Sequence, residues 1–72
     1  MGDHHGRVVS FDVRQGLGTL EGTDGARYPF HCTRIVDGNR DVAVDTHVTF
    51  RVVPGHQGRW EADAVRRAAG NV

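Results

Sequence analysis

Residues 16–31 read GLGTLEGTDGARYPFH, and the fold turns on how they are understood. Two short runs with strand character, 18–21 and 28–31, flank Thr23-Asp24-Gly25. Asp-Gly is a turn signal because Gly takes positive φ without steric cost, so the stretch predicts a β-hairpin. Gly16 and Gly18 flank Leu17 and soften the first of the two strands. Glycine inside a strand marks a bend or a close backbone approach. In the second strand, 27–31, alternation puts Tyr28 and Phe30 on one face and Pro29 and His31 on the other. The apolar pair belongs inside. Pro29 cannot donate to a ladder, so its strand is expected at an edge or at the end of a pairing.

Working outward, residues 7–13 read RVVSFDV, rich in β-branched and aromatic side chains, and predict the first strand. Strict alternation buries Val9, Phe11 and Val13 and exposes Ser10 and Asp12. Val8 falls off that parity, which leaves room for a bulge. Arg14-Gln15-Gly16 is a turn. Residues 32–35, CTRI, form a short turn with Ile35 as its plug. Residues 36–46 read as a loop with a polar centre at 37–41, tacked to the core by Val42 and Val44. Residues 47–53 alternate cleanly, with Val48, Phe50 and Val52 in and Thr49 and Arg51 out. Pro54-Gly55 ends that strand and residues 56–58 make a turn. The stretch 59–67 contains good helix formers, so a C-terminal helix competes with a strand centred on 62–65. The short preceding turn favours the strand. Residues 1–5 and 68–72 read as tails around one domain, 6–67. Several short strands with turn signals and hardly any helix make this an all-β protein, a small five-stranded antiparallel Greek-key barrel. Closure removes exposed edges.

The whole chain sets limits on function. At 72 residues it is one small domain, of a size that buries only about 60% of its unfolded surface. One cysteine, Cys32, leaves no intrachain disulfide and suits a reducing compartment. No apolar run approaches the roughly 20 residues of a membrane span, and the N-terminus lacks an apolar signal core, so the cytoplasm is expected and a membrane is not. Nine basic residues balance nine acidic ones. That balance argues against binding nucleic acid through net charge alone. Every basic residue is Arg. Guanidinium stacks on flat groups and grips phosphate with a fixed fork, so a polyanion partner stays open beside ordinary surface solvation. No phosphate-loop motif or metal-ligand spacing occurs. His31 and Cys32 are strand neighbours facing opposite ways, which is not a catalytic dyad, and Glu61 and Asp63 read as solvated surface. The sequence therefore predicts no enzyme, no cofactor and no metal.

Taken in order, these pieces resemble a cold-shock domain, a barrel of the oligonucleotide/oligosaccharide-binding type, from about Gly6 to Arg66. Gly6-Arg7-Val8 with Phe11-Asp12 is similar to the family's opening strand. Residues 15–20, QGLGTL, sit where its first ribonucleoprotein motif lies, and residues 28–31, YPFH, fall on the second. Asp24-Gly25 resembles its hairpin turn, and Thr33 with Ile35 its Ser-Ala-Ile turn. Gly38, Arg40, Val42 and Val48-Thr49-Phe50 resemble its long loop and fourth strand. Pro54-Gly55, Glu61-Ala62 and Val65 resemble its last hairpin. The resemblance implies inward positions filled by Val8, Leu20, Tyr28, Phe30, Ile35, Val48, Phe50 and Val65.

The departures are systematic. The family stacks unpaired bases on outward aromatics, and here those positions hold Ser10, Leu17, Thr19, Pro29, Cys32 and Asn39. Phe11 and His31 remain. The resemblance thus implies weak, low-specificity binding of single-stranded RNA or DNA, without catalysis, by Phe11, Arg14, Leu17, His31, Arg59 and Trp60. His31 is read either as a base contact or as a cap on the turn that follows it. Phe11 suits the surface or the core. Trp60 is a replacement platform, a core plug or a partner contact. Arg7, Arg14, Arg27, Arg34 and Arg59 are candidates for phosphate contact. The alternative is a barrel that has lost nucleic acid and serves as a protein-interaction or homodimerisation module, through Trp60.

Overall fold

A computed structural model describes residues 3–36, 41–55 and 58–68. It contains five strands, β1 (His4–Asp12), β2 (Leu17–Gly22), β3 (Arg27–His31), β4 (His47–Pro54) and β5 (Trp60–Arg67). A 3-10 turn, Cys32–Arg34, follows β3. Every pairing is antiparallel, in the order β3-β2-β1-β4-β5. The end strands β3 and β5 pack on each other, and Ile35 forms a parallel bridge to Val65. The barrel is therefore closed by packing along one seam. Pro29 lies on that seam strand, where its missing N–H removes nothing from a ladder. The ambiguous stretch 59–67 is strand, because β4 offers it a complete ladder.

The β2–β3 hairpin forms as its sequence dictates. Gly25 takes φ +84, a conformation that favours glycine. Asp24 Oδ1 accepts from Ala26 N at 2.9 Å, and Gly25 N donates to Gly22 O at 2.9 Å. The Tyr28 hydroxyl donates to Asp24 Oδ2 at 3.2 Å. Burial and the facing Asp24 carboxylate push its phenol above the ordinary 10.0.

The core consists of Val8, Leu20, Phe30, Ile35, Val42, Val48, Phe50, Ala62 and Val65. All but one of the inward positions implied by the resemblance are buried; Tyr28 is half-buried, with its ring 5.4 Å from that of Phe50. Strand β1 departs from simple alternation. Its register against β2 shifts between Val8 and Ser10, so Val9 is an extra residue. A bulge reverses parity: Val8 is fully buried, Val9 is half-buried, and Val13 lies exposed in the turn rather than inside. Val44, the second expected tack on the loop, is also exposed, whereas Val42 is buried. The bulge makes a contrast that urea unfolding can measure. Val8→Ala should cost more than about 1.5 kcal/mol, because two methyl groups leave a sealed site. Val9→Ala should cost less than about 1 kcal/mol.

The chain is ordered into a strand sooner than its start suggests. His4 and His5, read as tail, pair with Phe50 and Thr49, and the His4 ring stacks on Phe50 at 5.6 Å. A second bulge sits in β4–β5, where Ala64 has φ 48 and the register shifts between Thr49 and Arg51. Residues 37–40 of the loop's polar centre, Asn39 among them, the turn residues His56 and Gln57, the last residues 69–72, and Met1 with Gly2 lie outside the described residues.

Candidate nucleic-acid interface

The outer face of β1–β3 is set by register. Ser10 lies opposite Thr19, and Thr19 opposite Pro29, making one row across three strands. Leu17 lies opposite His31, one step along. Leu17 is 48% exposed, and Pro29 and His31 are also exposed. A shallow depression opens here, lined by Ser10, Leu17, Gly18, Thr19, Pro29, Phe30 and Glu61. Its floor depends on Gly18. A Cβ there would sit 2.6 Å from Phe30 Cζ and 2.7 Å from Phe11 Cδ1. The glycine thus makes space for two stacked rings, with centroids 5.8 Å apart and an interplanar angle of 17°.

That stack places Phe11. It is half-buried, lies on the inward side with Gly18 and Phe30, and packs against the core. It does not join the outward row with Leu17, because the bulge at Val9 has shifted its parity.

His31 serves the turn and the surface together. Its Nδ1 accepts from Thr33 N at 3.2 Å and lies 3.0 Å from Thr33 Oγ1. With Nδ1 accepting a backbone N–H, the neutral ring carries its proton on Nε2. The cap holds the ring in one orientation while the residue stays exposed. Cys32 Sγ lies 3.8 Å from the same Nδ1, closer than strict strand alternation suggests, because the chain leaves β3 at that point.

The cations sort themselves by pairing. Arg7 binds Asp45 at 2.9 Å and Glu21 at 3.4 Å. Arg27 reaches Glu21 at 3.8 Å, and Arg34 reaches Asp63 at 3.5 Å. Three of the five arginines expected as phosphate contacts are therefore already satisfied. Arg14 and Arg59 are exposed and in no ion pair among the described residues. The Arg14 turn is tied to the end of β3 by Cys32 N donating to Gly16 O at 2.7 Å, which brings Arg14 to the His31 end of the row.

Arg59 and Trp60 stand apart from the depression. Trp60 pairs with Pro54 at the tip of the β4–β5 hairpin and is 58% exposed, so it is not a core plug. Strand alternation gives it the parity of buried Ala62. Its neighbour Glu61 has the opposite parity and lines the depression. Glu61, solvated surface by its sequence context, reaches this wall because β5 packs on β3.

No family model and no curated protein matches the chain. Solved structures do. A structure of Drosophila Unr spanning cold-shock domains 4–6 superposes with a TM-score of 0.79 at 26% identity, over 96% of this chain. The chain has the fold of a cold-shock domain. It spans 28% of that longer neighbour, so the likeness concerns the barrel and not the larger protein. Among the described residues of the domain, no helix is long and apolar enough to cross a membrane.

Proposed function

We propose that this cold-shock-type domain binds single-stranded RNA or DNA weakly, with little overall sequence preference, as a non-catalytic chaperone of transcripts or regulator of expression. The observation that carries this reading is His31. Its Nδ1 is held by the turn, so the exposed ring is oriented before any ligand arrives. A pre-oriented ring loses little freedom on stacking against a base. Leu17 and Pro29 add apolar contact beside it, and of the five candidate arginines Arg14 and Arg59 are left to meet phosphate.

The reading has a quantitative signature. With two arginines on phosphates, the logarithm of the association constant should fall against the logarithm of salt with a slope of about −1.4. Fluorescence anisotropy of labelled pyrimidine-rich and purine-rich strands at several salt concentrations measures it. The Arg14→Ala/Arg59→Ala double variant should flatten that slope towards zero. His31→Ala should weaken every strand about tenfold, the value of one modest stacking contact. No binding at high micromolar protein, together with a Trp60-dependent dimer in sedimentation, would overturn the reading in favour of a protein-interaction module.

A further inference from the structure

We propose that the outer face of β1, β4 and β5 carries a second phosphate track, which takes the backbone of a single strand long enough to run past the first face. The inference rests on the single-strand reading above and extends the path of the same ligand. Arg66 lies opposite Thr49, and Thr49 opposite His5, so these three form one row across β5, β4 and β1. Arg51 stands two residues along β4, on the same face as Thr49. Val48, Phe50, Ala62 and Val65 take the other face and are buried, whereas His5, Arg51 and Arg66 are exposed.

Charge makes this face a place for an anion. Arg51 and Arg66 are in no ion pair among the described residues. They occupy diagonal positions on neighbouring strands, roughly 7–8 Å apart. Asp63 lies opposite Arg51, but its Oδ1 accepts from Arg34 at 3.5 Å and from Ala64 N at 2.8 Å. On the β1 side, Arg7 holds both Glu21 and Asp45, and Arg27 reaches Glu21 as well. Asp3, the residue before β1, sets one exposed negative charge against the two free guanidinium groups. Like charges on adjacent positions repel. A phosphate between them relieves that repulsion and engages both forks.

The bulge at Val9 joins this face to the first one. Arg7 and Ser10 are three residues apart, a spacing that regular alternation sends to opposite faces. With the extra residue between them both are exposed, while Val8 is buried. Strand β1 thus presents one outer side from His5 to Ser10, about 15 Å along the strand, and Ser10 begins the row that continues through Thr19 to Pro29. Beside the path lies a hollow of about 240 Å³ whose lining includes His5, Arg7, Glu21, Thr23 and His47. The two imidazoles and the Thr23 hydroxyl supply donors there to a passing backbone.

Labelled oligothymidines of about five and about fifteen nucleotides test the path by salt titration. On the short strand, held by the first face, wild type should keep the slope of about −1.4 that two phosphates give. On the long strand the two further arginines should steepen it to about −2.8. The Arg51→Gln/Arg66→Gln double variant should return the long-strand slope to about −1.4 and leave the short strand unchanged. The long strand should bind one to one. Equal slopes on the two strands for wild type overturn the inference and leave the single-strand reading standing. So does a long-strand slope that the double variant, with an unchanged circular dichroism spectrum, fails to reduce. Two short strands bound per domain would assign the face to a separate strand and overturn the continuous path. Failure of both lengths to bind overturns the single-strand reading, and this inference with it.

Discussion

Replacing Leu17, Thr19 and Pro29 together by phenylalanine is expected to tighten binding of a short single strand by about a hundredfold or more. The estimate follows from the surface. The three residues lie in adjacent positions of the outer face, with Thr19 opposite Pro29 and Leu17 opposite His31. Each base stacked on an aromatic ring contributes about 1–3 kcal/mol. Three platforms at the low end sum to about 3 kcal/mol, or about 150-fold. Neighbouring sites couple, so the sum is not strictly additive, but an extended aromatic row beside His31 favours cooperation over interference. The fold should accept the change. All three positions face away from the core, and phenylalanine has high strand propensity. Anisotropy titration of the same strands measures the gain. Unchanged affinity in a well-folded triple variant would mean that the strand runs over another face of the barrel.

The largest loss of stability is expected at Phe50. It is the largest of the fully buried side chains, 1% exposed, with Tyr28 against it at 5.4 Å and His4 stacked at 5.6 Å. Phe50→Ala removes a ring where side chains of β1, β3 and β4 meet, and such truncations cost about 3–5 kcal/mol. A domain of this length holds a total of about 4–11 kcal/mol. The variant should therefore be partly or wholly unfolded at room temperature. Urea denaturation followed by the fluorescence of Trp60, the chain's single tryptophan, would show it. A midpoint within about 0.5 M of wild type would mean that the core repacks around the gap, against the cost expected from the cavity.

The two expectations bear on different properties of one barrel. The core retains the apolar positions that the cold-shock resemblance implies, while the outer face carries Ser10, Leu17, Thr19 and Pro29 where that resemblance implies aromatic platforms. Stability and ligand affinity are therefore separable here. Strand alternation sends the two sets of residues to opposite faces, and substitutions in one set leave the other in place.

Much of this was written locally in the chain. The Asp24-Gly25 turn, the alternation of β4 and the inward pair on β3 depend on residues two to four positions apart, and the strands formed where those patterns lie. Exposure of His31 followed from the same period of two. The tertiary structure alone decided what depends on distant partners. The bulge at Val9 let Val8 join Phe11 on the core side, because one extra residue flips the side chains beyond it. Pairing of Arg7, Arg27 and Arg34 with carboxylates separated the satisfied arginines from Arg14 and Arg59. The packing of β5 on β3 carried Glu61 into the wall of the depression. Local periodicity fixes which face a side chain takes, but which charge it meets across the barrel is set only when the sheet curls and its ends come together.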